Sequence, residues 1–105
     1  MKVRYIVAMT LGLAVSTSVL ANDGETLFKQ SGCNACHALQ KKSVGPAFSA
    51  IAAKYAGDAG AQAKLEAKVR SGGSGSFGGM PMPPTTSRVS DADIKTLVTF
   101  ALSVK

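Results

Sequence analysis

The sequence predicts an all-α fold of four short helices with one ordered Gly/Pro-rich loop between the third helix and the last. Apolar residues recur at helical spacing in four segments, and no segment alternates apolar and polar residues in the way a strand does. Glycines follow the first three of these segments and punctuate the chain. At 105 residues, the chain has room for one small domain.

The first 21 residues resemble an export signal. Lys2 and Arg4 precede an apolar stretch that ends in the small-residue sequence VLA, which a signal peptidase reads. We predict cleavage after Ala21, so that residues 1–21 are a signal peptide and residues 22–105 form the domain. The alternative is an uncleaved membrane anchor, but the apolar run is diluted by Thr and Ser and falls short of the usual ~20-residue span. No stable membrane insertion is therefore expected.

The first two helices are predicted from short periodic segments. NDGETLFKQSG, residues 22–32, offers Asn22 or Asp23 as a capping residue and places Leu27 and Phe28 on one face. PAFSAIAAKYAG follows the turn at Gly45-Pro46 and predicts the second helix. Its residues at helical spacing are Phe48, Ile51, Ala52 and Tyr55.

The second half of the chain predicts two further helices around a loop. AGAQAKLEAKVRSG, residues 59–72, is alanine-rich, with Leu65 and Val69 four apart. The loop SGGSGSFGGMPMPP, residues 71–84, ends in prolines and apolar side chains that a solvated linker would not need, so we expect it to be ordered. In SDADIKTLVTFALSVK, Ser90 and Asp93 form a capping box. The apolar stripe of this last helix consists of Ile94, Leu97, Val98, Ala101 and Leu102, which we expect to pack in the core.

The charge of the chain favours an acidic partner. Twelve Lys and Arg residues face six Asp and Glu residues, for a formal net charge of +6, and the chain remains basic after loss of Lys2 and Arg4. An exported chain with no Arg-rich stripe and few aromatic residues argues against nucleic acid and for an acidic protein partner.

The core predicted from side chains alone is thin. Residues 22–105 contain no Trp and many alanines and glycines, so their burial would barely offset the entropy of ordering a chain of this size. A disulfide between Cys33 and Cys36 would close too short a loop to make up the difference. Another group is therefore expected to fill the middle of the domain.

The stretch SGCNACHALQ, residues 31–40, holds both cysteines and the single histidine of the chain. A thiol–disulfide active site normally lies in a βαβ unit, and no strand is predicted here. A zinc site would lack a fourth Cys or His ligand. The remaining chemistry is c-type haem attachment, in which Cys33 and Cys36 form thioethers with the haem vinyl groups and His37 binds the iron. We favour this interpretation, with one covalent haem c per chain.

Residues 22–105 resemble the small bacterial class I cytochromes c of the short c-551 or c-552 type. The resemblance is carried by LFKQSGCNACH, VGPAF, AAKYAG and above all FGGMPMPP, which is similar to the Met-Pro-Pro loop that supplies the sixth iron ligand in that family. It implies a class I cytochrome c fold, four short helices wrapped around the haem, with Met82 as the axial ligand opposite His37. Met80 is the rival for this role. The resemblance also implies that the carbonyl of Pro46 accepts a hydrogen bond from His37.

The same resemblance implies that the first and last helices cross near Gly32, with Phe28 packing against Leu97 and Phe100. Between the two axial ligands we expect a flat apolar slot. Its walls are predicted to be formed by Pro46, Phe48, Ile51, Leu65, Val69 and Phe77.

Several positions depart from the pattern of this family. Phe77 stands where relatives often carry a Trp whose ring N–H donates to a haem propionate, so Phe77 is expected to contact the haem without donating. Lys68 replaces a frequent Arg, and Thr85 a frequent Asn. The run from Thr85 to Arg88 also looks slightly longer than in relatives.

The expected function is single-electron transfer, because an iron bound by His and Met has no open position for a substrate. We predict a non-enzymatic, monomeric, periplasmic carrier that shuttles between a quinol-oxidising donor and a terminal reductase or oxidase. The alternative is a haem sensor or peroxidase-like enzyme with a labile Met ligand. Lys41 and Lys42 are predicted to form part of a docking face for an acidic partner, the alternative being a solvated surface pair.

Overall fold

The computed structural model describes residue 12, residues 20–78 and residues 80–105. Its four helices are α1 (Leu20–Gln30), α2 (Phe48–Lys54), α3 (Ala61–Ser71) and α4 (Asp91–Ser103), and a short 3-10 helix spans Cys33–Ala35. None of the described residues belongs to a β-strand, and a single isolated bridge pairs Gly73 with Met82. The all-α prediction and its four helices are confirmed.

Helix α1 begins earlier than the sequence predicts. Its main chain is already helical at Leu20, so neither Asn22 nor Asp23 occupies the capping position before the helix. Helical main chain therefore crosses the predicted cleavage point after Ala21. The rest of the predicted signal peptide lies outside the described residues, apart from Gly12, and its removal stays a prediction.

The core is an aromatic cluster built from three helices. Phe28 of α1 and Phe48 of α2 meet edge to face, with ring centroids 5.0 Å apart, and Phe100 of α4 lies 6.2 Å from Phe28 and 6.1 Å from Phe48. Such tilted arrangements pair the positive ring edge with the negative ring face. Leu97 and Ala101 of α4 complete the buried cluster. The expected packing of Phe28 against Leu97 and Phe100 is therefore present.

The crossing of α1 and α4 lies at Gly24, and the prediction of a crossing near Gly32 is wrong. A Cβ atom at Gly24 would overlap Phe100, lying 2.8 Å from its Cγ, whereas a Cβ at Gly32 would meet nothing within 4 Å. Gly32 instead has a φ of 79°, a left-handed conformation that turns the chain from α1 into the 3-10 helix. The helices therefore meet about two turns earlier than expected.

Helix α4 has the predicted Ser90 cap and apolar stripe, but the capping box is incomplete, since the Asp93 carboxylate makes no hydrogen bond to the Ser90 main-chain N–H. The Ser90 hydroxyl accepts a hydrogen bond from the Asp93 main-chain N–H at 3.1 Å, which satisfies one free donor at the helix start. Four members of the predicted stripe are buried and the fifth, Leu102, is half-buried. The four are Ile94, Leu97, Val98 and Ala101.

Among the described residues, no helix combines the length and the apolar character that a membrane crossing demands.

Candidate functional site

The cysteine motif forms a single tight turn after α1. The main-chain N–H groups of Cys36 and His37 both donate to the carbonyl of Cys33, at 3.2 and 2.9 Å. Because a residue and its fourth successor lie on the same side of a helical turn, this places Cys33 and His37 on one face. Both cysteines are free thiols and half-buried. Burial raises the pKa of the Cys33 thiol, so this sulfur stays protonated at neutral pH.

The imidazole of His37 is oriented by its neighbours. Its Nδ1 lies 2.7 Å from the carbonyl oxygen of Pro46, so the expected hydrogen bond is present. Since a carbonyl only accepts, Nδ1 carries the proton, and in the neutral imidazole Nε2 then has the free lone pair with which a histidine binds a metal. The ring also packs against the core aromatic Phe48, at 5.3 Å between centroids.

Gly45 also contributes to this orientation, although its sequence pattern does not indicate such a role. A Cβ atom at Gly45 would lie 2.7 Å from Cε1 and 3.0 Å from Nδ1 of His37, so only glycine lets the loop approach the ring this closely. The main-chain N–H of Gly45 donates to the carbonyl of Cys36 at 2.7 Å, which fixes the loop against the motif. The sequence pattern around Gly45 indicates only a turn before Pro46.

The loop between α3 and α4 is ordered by main-chain hydrogen bonds. Gly73 and Met82 exchange two of them, each 2.9 Å long, so Met82 is held directly opposite the end of α3. Gly72 has a φ of 69°, and a Cβ there would overlap the carbonyl oxygen of Met82 and lie 2.7 Å from the nitrogen of Pro84. The main chain at Gly72 and the main chain from Met82 to Pro84 therefore approach so closely that this position requires glycine.

A cavity of about 780 Å³ separates the motif from this loop. Its volume falls within the ~300–1,000 Å³ that is typical of pockets for small molecules and cofactors. Its lining includes Cys33 and His37 of the motif and Met82 of the loop. All six residues predicted to line the slot border it: Pro46, Phe48, Ile51, Leu65, Val69 and Phe77. Cys36 is half-buried and lies outside the lining.

The two loop methionines differ in exposure. Both border the cavity, but 68% of Met80 is exposed to solvent, whereas Met82 is half-buried. Met82 also has its main chain fixed by the two bonds to Gly73. The loop therefore offers Met82 to the cavity in a better defined position than Met80.

Two lysines bind the loop segment that precedes Phe77. Lys68, which borders the cavity, donates to the carbonyl of Ser74 at 3.2 Å. The ammonium of Lys54 donates to the carbonyl of Ser76 and lies 4.5 Å from the ring centroid of Phe77, a cation–π contact. Lys54 and Lys68 therefore both bind main-chain carbonyls of the loop segment that leads to Phe77.

These features define a class of protein. A mostly apolar cavity of cofactor size, two free thiols in a C-x-x-C-H turn and a histidine with a free Nε2 match the covalent attachment of a c-type haem. The residues present fit the group, since the thiols supply the thioethers and the apolar walls suit the porphyrin.

Comparison with known proteins agrees with this class. The cytochrome c family model matches residues 21–105. The chain is 44% identical to cytochrome c-551 of Pseudomonas aeruginosa over 97 residues, covering 92% of this chain and 91% of that one. It is 45% identical to cytochrome c-552 of Hydrogenobacter thermophilus over 102 residues, covering 97% and 98%. The crystal structure of Nitrosomonas europaea cytochrome c552 superposes with a TM-score of 0.73 at 46% identity, covering 77% of this chain and 99% of that one.

The chain belongs to the cytochrome c family. It is an electron carrier with covalently attached haem c, and it has the all-α cytochrome c fold that the sequence predicts.

Proposed function

We propose that this protein carries single electrons in the periplasm, with its haem iron bound by His37 and Met82, between a quinol-oxidising donor and a terminal reductase or oxidase. The haem iron supplies the one-electron redox change when the group is bound. The protein supplies two axial ligands, an apolar enclosure and a docking face. The single observation that supports the proposal is that His37 and Met82 border the same cavity.

The proposed binding of the haem iron by His37 is supported by the hydrogen bond between this residue and Pro46. Because Pro46 holds a proton on Nδ1, Nε2 of the neutral ring is the nitrogen available to bind iron, and the bond fixes the orientation of the ring. Cys33 lies on the same face of the turn, so a thioether at its sulfur would hold the porphyrin beside this nitrogen. We assign the second thioether to Cys36.

The proposed binding of the haem iron by Met82 is supported by the two hydrogen bonds that fix its main chain. A thioether is a soft ligand that raises the reduction potential of haem iron relative to harder ligand sets. With both axial positions filled, no site is left for a substrate, which supports a carrier rather than an enzyme or a sensor. Phe77 and Pro46 complete the enclosure as apolar contacts that keep water from the porphyrin.

The docking face is proposed to include Lys41 and Lys42. Both are exposed and lie between the haem motif and Gly45, and Lys42 borders the cavity. Val44 beside them is 52% exposed, an apolar contact next to two positive charges. This arrangement suits a small, transient encounter with an acidic redox protein. We further propose that the carrier is exported, with residues 1–21 removed, and acts as a monomer.

A visible spectrum tests the ligation. We expect the oxidised protein to show the weak band at the red end of the spectrum that reports an iron–sulfur bond. Met82→Ala should abolish this band, and the matched control Met80→Ala should keep it. Loss of the band in Met80→Ala alone would reassign the ligand. Absence of the band in the unchanged protein, together with direct binding of carbon monoxide to the reduced form, would favour a sensor or peroxidase-like enzyme.

Salt-dependent kinetics test the docking face. In the double variant Lys41→Gln, Lys42→Gln, electron transfer from the reduced protein to hexacyanoferrate(III) should have a lower bimolecular rate at low salt. The reason is that positive charge near the haem attracts this anionic oxidant. The difference should fade above about 0.1 M salt, where the Debye length is ~10 Å. The control pair Arg88→Gln, Lys95→Gln makes the same change in net charge at exposed positions that do not border the cavity. Equal rates for the two double variants would contradict the local role.

A further inference from the structure

Arg70, in the last turn of α3, gathers an unusual set of acceptors. Its Nη1 donates to the carbonyls of Thr85 and Thr86 at 3.1 and 2.9 Å, and its Nη2 donates to the carbonyl of Val89 at 2.8 Å. Nη2 also lies 2.6 Å from Oδ1 of Asp91. One side chain therefore binds three main-chain carbonyls within a five-residue stretch that leads into α4.

This stretch follows directly on the Met82 loop. Only Pro83 and Pro84 separate Met82 from Thr85, and each proline has a fixed φ and no main-chain N–H. The N–H of Thr85 also donates to the carbonyl of Val69 at 3.2 Å, next to Arg70 in α3. Because the diproline is stiff, a position held at Thr85 restrains Met82 as well.

We propose that Arg70 is a positioning residue for the Met82 ligand. Its guanidinium holds the main chain at 85–89 against α3, and the diproline carries this restraint to the methionine sulfur. Gly73 holds the same methionine from the other arm of the loop, so Met82 lies between two anchors. This inference rests on the proposed ligation of the haem iron by Met82.

The three carbonyl contacts, rather than the ion pair, carry the effect. The Asp91 side chain is 96% exposed, and an exposed ion pair contributes little. The Arg70 side chain is only 34% exposed, and its planar fork presents several donors in fixed directions. A lysine ammonium at this position would be a point charge on a flexible stem and would not bind all three carbonyls at once.

The restraint is measurable because an added ligand competes with the sulfur. Imidazole binds ferric haem only in molecules whose methionine has left the iron, so its apparent affinity rises with the fraction of open molecules. Arg70→Gln should tighten imidazole binding about tenfold, which corresponds to about 1.4 kcal/mol and is close to the net value of one hydrogen bond. Arg70→Lys should fall between this variant and the unchanged protein, and it keeps the measurement possible if the glutamine variant does not fold.

Two control variants distinguish the hydrogen bonds of Arg70 to main-chain carbonyls from a general effect of charge. Arg88→Gln makes the same substitution at an exposed position on the same stretch, and Asp91→Asn removes only the ion pair. Both should bind imidazole within about twofold of the unchanged protein, since exposed charges count for little. Unaltered affinity in both Arg70 variants, or an equal gain in Asp91→Asn, would overturn the proposal.

The failure of this inference is distinguishable from failure of the ligation. An intact red-end band with unchanged imidazole affinity in the Arg70 variants would refute the role of Arg70 alone. A missing band in the unchanged protein would refute ligation by methionine, and the role of Arg70 with it.

Discussion

Replacing Gly45 with alanine should displace the imidazole ring of His37. The new Cβ would lie 2.7 Å from Cε1 of His37, and carbon atoms pack comfortably at about 3.5–4.0 Å. The ring therefore has to retreat by about 0.8 Å, which would stretch the 2.7 Å contact to Pro46 beyond hydrogen-bonding distance. Overpacking costs about 1–3 kcal/mol and the lost hydrogen bond about 1 kcal/mol, so we expect a loss of roughly 2–4 kcal/mol.

Thermal unfolding of the haem protein measures this loss. For a domain of this size, 2 kcal/mol lowers the midpoint by at least about 8 °C. Gly60→Ala is the matched control, since its Cβ would lie 3.4 Å from Asp58 Oδ1 in ordinary contact and its φ of −92° suits alanine. Gly60 occupies the capping position before α3, where glycine is moderately preferred over alanine. We therefore expect Gly60→Ala to lower the free energy of unfolding by no more than about 1 kcal/mol. Equal midpoints for the two variants would refute the steric argument.

Three further predictions concern packing, the cofactor and pH. Gly24→Ala should lower the denaturant midpoint although alanine favours helix by about 1 kcal/mol, because its Cβ would overlap Phe100; a higher midpoint would contradict this packing. Replacing both cysteines with serine should abolish cooperative melting, since the cavity then holds no covalently bound haem; a cooperative melt near the original midpoint would show that the side chains suffice. A hydrogen bond from Lys64 holds the pKa of Asp58 below its usual 3.8, so this pair stabilises the fold above that pH and its contribution is lost as pH falls. The Asp58→Asn variant should therefore be slightly less stable than its parent at neutral pH, with the gap closing in acid; a constant gap would exclude the linkage.

Much of the fold was predictable because its signals are local. Helical periodicity, the Ser90 cap and the stopping glycines depend on residues within a few positions of one another, so they can be read along the chain. The haem motif is equally local, since two thiols and an imidazole must fit one turn. The start of α1 was not predicted, because a capping residue such as Asp23 is compatible with a helix that continues upstream.

The long-range features of the site depend on contacts that no local pattern records. The pattern VGPAF indicates a turn, but the need for glycine at position 45 arises from a ring that lies eight positions earlier in the chain. Arg70 looks like an ordinary basic residue in the last turn of a helix. Its acceptors are main-chain carbonyls 15 to 19 residues away, which carry no side-chain signature.

Residue chemistry and spacing along the chain thus account for the class of cofactor and the four helices, because both depend on residue type at short range. The six walls of the slot come from separate segments, and they were expected only through the resemblance to a known fold. Folding added the crossing point at Gly24, the approach of Gly45 to His37 and the hold of Arg70 on the stretch after Met82. Close approach and hydrogen bonding between distant main-chain segments depend on how the helices pack in three dimensions. The residue type of a glycine or an arginine does not by itself indicate whether such a contact forms.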